Sequence, residues 1–214
     1  MGVSIKQKDR RELMTLAAVE LLEQDGPNAM TVRKITAKIG GTSILVYQEF
    51  GSMSQLVSSV VEYGFQLMSK QLNERPSSTN ILVDLWQAFS IVRNFSLAHR
   101  HLYTVMFAVH SVGGHQRSGE ELDLGRETLR VFYLICKKAV DEGIFTTKPQ
   151  DATQFFWTII HGHLMLELAG YYTLAKEKPL ASFSRLIATS MIGLGAQADF
   201  VYKTIQISDE PNLT

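Results

Sequence analysis

Apolar residues recur three and four positions apart along nearly the whole chain, and this periodicity decides what it can fold into. The prolines, at 27, 76, 149, 179 and 211, fall beside or between the periodic segments, where a residue without an N–H is tolerated. Runs of β-branched residues with strict alternation are missing, so no strand is predicted. The expected fold class is all-α. Hydrophobic residues make up 45% of the 214 and charged residues 20%, which supplies a core and excludes global disorder.

The spacing predicts a first helix over about 8–24, with Leu13, Ala17 and Leu21 on one face and Met14, Ala18 and Leu22 beside them. Asp25-Gly26-Pro27-Asn28 stops it. Thr31 is placed to cap a short second helix whose Val32, Ile35 and Ile39 face inward, and Gly40-Gly41 breaks that helix after two turns. Thr42 or Ser43 caps a third short helix ending at Gly51, and a long fourth helix covers 53–73. Beyond the polar link 75–80, helices are expected near 80–99, 101–111, 119–142, 150–174 and 180–203, with Gly113-Gly114 and Gly143 near stops. The chain therefore divides into a three-helix unit over 1–52, a body of five or six helices over 53–203, and a polar tail over 204–214.

Several function classes drop out. Lys+Arg and Asp+Glu are both 21, so there is no general basic coat, although a local patch remains open. Cys136 is the one cysteine, which excludes an internal disulfide and a cysteine-based zinc cluster and fits a reducing cytoplasm. The opening MGVSIKQKDRRELM holds no apolar run of signal-peptide length, and no stretch reaches a membrane span. The pairs His99/His101 and His161/His163 are two apart, which on a helix points them to different sides, so no metal is expected. No nucleophile elbow, zincin motif, phosphate loop or dinucleotide fingerprint occurs, so neither an enzyme nor a cofactor is expected.

Two short helices joined by a tight glycine turn, after a longer scaffold helix, describe a helix-turn-helix. Thr36, Gly40 and Val46 stand where that motif needs a small residue at the crossing, a turn residue tolerating positive φ, and an apolar plug. The third helix would then offer Ser43, Leu45, Tyr47 and Gln48 to a major groove, with Arg33 on the second helix reaching groove or phosphate. Lys6, Lys8, Arg10 and Arg11 form a solvated face or a mobile arm.

Residues 10–56 resemble the N-terminal domain of tetracycline-repressor-type (TetR family) transcriptional regulators. The resemblance rests on Ala17-Ala18, Leu21-Leu22, Gly26, Thr31-Val32, Ile35, Gly40, Tyr47, Phe50-Gly51-Ser52 and Leu56. The sequence departs from the family pattern at Thr36, Gly41, Leu45 and Met53, the last standing where lysine is common. A looser resemblance covers 97–107 and 156–162, where Trp157, His161 and Gly162 match the family branch with a Trp…His-Gly signature in its ligand-binding domain. The resemblance implies a cytoplasmic homodimer, usually a repressor, that binds a palindromic double-stranded DNA operator and answers to a small effector. It places DNA contacts at Thr31, Arg33, Thr42, Ser43, Leu45, Tyr47 and Gln48. The second half is rich in large apolar side chains, and Trp157, His161, Met165 and Leu168 share one stripe. A small hydrophobic effector is therefore expected against Trp86, Phe89, Tyr103, Phe107, Trp157 and His161. The alternative is a small-molecule-binding protein of the same fold with weak or no DNA binding, since residues 1–51 carry seven basic side chains against six acidic ones.

Overall fold

The structure, a computed structural model, describes residues 5–107, 115, 118–174 and 178–209. The described residues form ten α-helices and contain no strand, as the periodicity requires. In chain order these are α1 (Ile5–Asp25), α2 (Val32–Lys38), α3 (Ile44–Phe50), α4 (Met53–Asn73), α5 (Ile81–Ala98), α6 (Arg100–Phe107), α7 (Gly119–Asp141), α8 (Pro149–Leu168), α9 (Pro179–Gly193) and α10 (Ala198–Asp209). The expected Gly113-Gly114 stop, residues 108–111 of the helix expected over 101–111, the side chains of Lys6 and Lys8, and 210–214 of the expected tail lie outside the described residues.

Two compact units are present, and their borders fall inside helices. One comprises 1–68 and 98–126, the other 69–97 and 127–214. The division therefore cuts α4 after Met68, so this helix contributes to both.

In the first unit α1 buries Met14, Ala17, Ala18 and Leu22. Leu13, expected on the inward face, is instead 58% exposed, so the buried stripe is rotated by one residue. Thr31 caps α2, its Oγ1 accepting the Lys34 N–H at 3.3 Å. Thr36 is buried and its hydroxyl donates to the Val32 carbonyl at 2.8 Å, which satisfies a polar group inside the crossing.

The second unit is built around rings. Phe89 stacks on Phe132 at 5.2 Å and meets Phe156 at 5.0 Å, Phe145 lies 5.9 Å from Phe156, and Trp86 lies 5.9 Å from Phe183. Asn80 starts α5, its Oδ1 accepting the Leu82 N–H at 2.9 Å.

Two expected helices are broken. The segment over 150–174 ends as α-helix at Leu168; Gly170 turns with φ +83° and 171–174 form a short 3₁₀ turn. The segment over 180–203 splits into α9 and α10, and α10 continues through Asp209, so 204–209 are helical rather than tail. The break between them is held from outside: the Thr146 N–H donates to the Leu194 carbonyl at 2.8 Å. Gly195 passes this contact with φ +117°, and a Cβ there would stand 3.0 Å from Thr146 Cγ2 and 3.2 Å from its backbone nitrogen. Gly195→Ala is therefore expected to destabilise the protein by about 1–3 kcal/mol, from strain plus crowding. Urea unfolding of both proteins checks this; an unchanged midpoint would show that the break is not strained.

Candidate functional site

Gly40, at φ +69°, turns the chain between α2 and α3. At Gly41 there is little room, because a Cβ would stand 2.5 Å from Leu45 Cδ1 and 3.7 Å from Ile39 Cδ1. Leu45, expected to reach outward, is half-buried over this turn. The missing side chain at 41 is the space that Leu45 uses. The outward face of α3 is carried instead by Ile44, 64% exposed, Tyr47, 55% exposed, and Gln48, spaced so that all three lie on one side. Val46 and Phe50 are buried beneath, as is Ile35 of α2. Thr42 and Ser43 are exposed just ahead of α3, Arg33 is exposed on α2, and Thr31 is exposed at the α2 cap, where its Oγ1 accepts the Lys34 N–H.

The charges around this face are largely paired within the unit. Lys38 Nζ lies 2.7 Å from Glu20 Oε1, and Lys34 Nζ lies 3.6 Å from Asp25 Oδ2. Arg10 Nη1 donates to Glu49 Oε1 at 2.9 Å, while Arg11 donates to the Glu49 carbonyl and sets its guanidinium 4.3 Å from the centre of the Phe50 ring. Arg10 and Arg11, expected in a solvated face or mobile arm, instead fasten the end of α3 to α1. No local signal announces this tie, since Arg10 and Glu49 are 39 positions apart. Of the five cations in 9–50, three form ion pairs and Arg11 is held by a carbonyl and a ring, while Arg33 has neither an ion pair nor such a contact among the described residues. Ile44 was legible in principle, because it precedes Tyr47 by three and Gln48 by four.

Residues 15–60, which contain this whole turn, match the family model for bacterial regulatory proteins of the tetR family. Residues 85–190 match the model for the tetracyclin repressor-like C-terminal domain. The chain belongs to the TetR family. Solved structures with the same fold include a tetR-family transcriptional regulator from Streptomyces coelicolor, 16% identical, covering 100% of this chain and 93% of its own, with TM-score 0.68. A tetR-family regulatory protein from Rhodococcus RHA1 is 17% identical, covers 88% of this chain and 98% of its own, and has TM-score 0.65. RolR (NCGL1110), solved in complex with resorcinol, is 16% identical with 96% of each chain covered and TM-score 0.68. No curated protein sequence matches the chain.

In this TetR-family chain the side chains expected to bind an effector fall into two clusters. Tyr103 and Phe107 belong to the first unit, 4.8 Å apart, with Phe107 edge-on to Phe65 at 5.6 Å. Trp86, Phe89, Trp157 and His161 belong to the second. There Trp157 lies 6.2 Å from Phe132 and stacks on His161 at 5.8 Å and 17°, ending the ladder that starts at Phe89. Trp86, Phe89 and Tyr103 are buried, whereas Phe107, Trp157 and His161 are half-buried. Burial pushes the Tyr103 phenol above its ordinary value, and pushes the Cys136 thiol up to about 11, well away from a reactive thiolate. Among the described residues no group of three or more His, Cys, Asp or Glu is arranged to hold a metal, and no helix is long and apolar enough to cross a membrane.

A groove of about 610 Å³ runs between α8 and α9, lined by Thr158, Ile159, Gly162, Leu166, Ser182 and Leu186 among others. His163 and Tyr172 also line it; His163 is buried, and its Nδ1 shares a hydrogen bond with the Tyr172 hydroxyl at 3.1 Å. Its Nε2 has no hydrogen bond and stands 3.8 Å from Glu167, which is itself gripped by Arg93 through Nε at 3.0 Å. Burial lowers the His163 pKa from its ordinary 6.5; the Glu167 carboxylate opposes this and Arg93 assists it. The unfolded chain therefore binds this proton more readily, so the contribution to stability is intact at neutral pH and falls as pH drops through the ordinary imidazole range. Between about pH 7 and pH 5 the parent is expected to lose more stability than His163→Gln, which cannot titrate there. Unfolding free energies across that range check it, and parallel slopes would mean that folding does not shift the proton affinity of His163.

Proposed function

We propose that this TetR-family protein is a ligand-responsive transcriptional regulator, acting as a repressor, that binds a palindromic operator as a homodimer. The observation that carries this reading is the outward face of α3. Three large side chains, Ile44, Tyr47 and Gln48, stand exposed on a helix whose opposite face is locked by Val46, Phe50 and the arginines of α1. A rigid helix with an unpartnered outward face after a glycine turn suits insertion into a major groove. Thr42, Ser43 and Arg33 stand at its edge and suit backbone contacts. The α8–α9 surface supports pairing of two copies, since exposed Phe155, Leu166 and Leu180 flank it and Gly162 leaves close approach open. The ion pairs that consume Lys34, Lys38 and Arg10 favour a second reading, a small-molecule-binding protein of this fold with weak DNA affinity.

Binding of the full-length protein to duplex DNA from upstream of its own gene, at low and physiological salt, separates the two readings. The expected complex holds two protein chains per duplex. Tyr47→Ala and Gln48→Ala are each expected to weaken it by about 1–3 kcal/mol while the protein stays folded, the range of a good base contact. Parental affinity in both variants would move the reading face elsewhere.

The effector side of the proposal rests on the Phe89–Phe132–Trp157–His161 ladder, whose half-buried end is the Trp157/His161 stack. A small, largely apolar aromatic molecule suits such a wall, and the resorcinol held by RolR is of that class. Its action passes through α4, which carries residues of both compact units and starts directly after α3. To release DNA it must bind the released conformation more tightly than the DNA-bound one. A screen of small phenols and apolar aromatics for release of the operator complex is expected to find effectors whose potency falls in Trp157→Ala and His161→Ala. An effector equally potent on both variants removes this stack from the site, and release by polyanions alone overturns the apolar effector.

A further inference from the structure

We infer that Ile44 reads the C5-methyl group of thymine, and that the half-site beneath α3 is made of A·T pairs. This rests on the operator-binding reading above and adds to it the chemistry of the sequence that is read.

The residues of α3, Ile-Leu-Val-Tyr-Gln-Glu-Phe, include no arginine or lysine. The commonest specific contact to guanine, a bidentate cation on O6 and N7, therefore has no donor on this helix. The carboxylate that would accept from a cytosine amino group is also committed. Glu49 is buried and its Oε1 takes the Arg10 guanidinium at 2.9 Å. What remains outward is a branched alkyl group, a phenol and a primary amide. The amide of Gln48 offers one donor and one acceptor, which matches adenine N7 and N6. Ile44 stands one turn before it on the same face, as the first residue of α3, the end from which a recognition helix meets base edges.

Ile44 is also the most exposed large aliphatic side chain among the described residues, at 64%. Its neighbour Leu45 shows that the local fold can partly cover a large apolar group here, over Gly41. Ile44 is left outside that packing. In the major groove the apolar feature within reach of such a group is the thymine methyl. A β-branched side chain is stiff at χ1, so docking it costs little rotamer entropy. The paired charges of α1 and α2 fit this, because a unit with few spare cations draws less of its affinity from phosphates and more from neutral contacts to the bases.

The test uses the full-length protein and duplexes it selects from a random-sequence library. A selected duplex is then remade with deoxyuridine for thymine in each half-site, which keeps base pairing and removes only the methyl groups. The parent is expected to select half-sites rich in A·T and to lose about fourfold in affinity for each contacted methyl removed. Ile44→Ala is expected to bind the thymine duplex about as weakly as the parent binds the uracil duplex, and to lose nothing further on uracil; Ile44→Val keeps part of the discrimination. The uracil arm leaves the protein unaltered, so it decides the question whatever the variants do. Half-sites dominated by G·C, a parent indifferent to uracil, or an Ile44→Ala protein penalised by uracil as heavily as the parent would each overturn the inference while leaving operator binding intact. Enrichment of no duplex over scrambled sequence would overturn operator binding itself, and this inference with it.

Discussion

A helix of seven residues does not hold itself together in water, because nucleation costs more than so few backbone hydrogen bonds return. Both α2 and α3 are that short, so the reading unit exists only as far as other elements hold it. Ile35, Val46 and Phe50 are each buried, and a fully buried side chain of this size contributes about 1.5–3 kcal/mol. The two arginines of α1 add a polar clamp at the far end of α3, one on the Glu49 carboxylate and one on its carbonyl. The carbonyl contact satisfies an acceptor that the helix end would leave open, and the carboxylate contact pairs a buried acid with a half-exposed cation.

That clamp has an electrostatic consequence. Three cations of the unit face carboxylates within it: Arg10 meets Glu49 at the end of α3, and Lys34 and Lys38 meet Asp25 and Glu20 between α2 and α1. What α3 leaves outward is a neutral face of Ile44, Tyr47 and Gln48. The orientation of α3 and the neutralisation of Arg10 are thus two results of one contact.

The second unit solves a different problem. Its rings, from Phe145 through Phe156 and Phe89 to Phe132, make a core of flat side chains whose last members, Trp157 and His161, lie at its half-exposed end. Near it the Arg93–Glu167 pair is almost fully buried, with the guanidinium 5.6 Å from the Phe183 ring. Such a pair adds little net stability, yet either partner alone would be a buried charge, so the two must stand or fall together. Burial lowers the pKa of His163 beside them through the same cost of charging a group out of water.

The all-α class, most helix positions, the Thr31 cap, the Gly40 turn and the buried Val46 were legible because each depends on neighbours within a few residues. Periodicity, caps and positive φ are local properties. What only the tertiary structure decided has partners far away in the chain. Which face of α1 is buried depends on what packs against it, and the sequence offered two adjacent stripes of nearly equal character. The interruption at Gly195 depends on Thr146, 49 positions earlier, and the seating of α3 on Arg10, 39 positions before Glu49. Leu45 and Ile44 are adjacent, similar in size and equally apolar; which of them packs and which stays exposed was settled by the room that Gly41 leaves for Leu45. Local chemistry sets the elements, but a side chain's role is set by the groups that long-range folding brings to it.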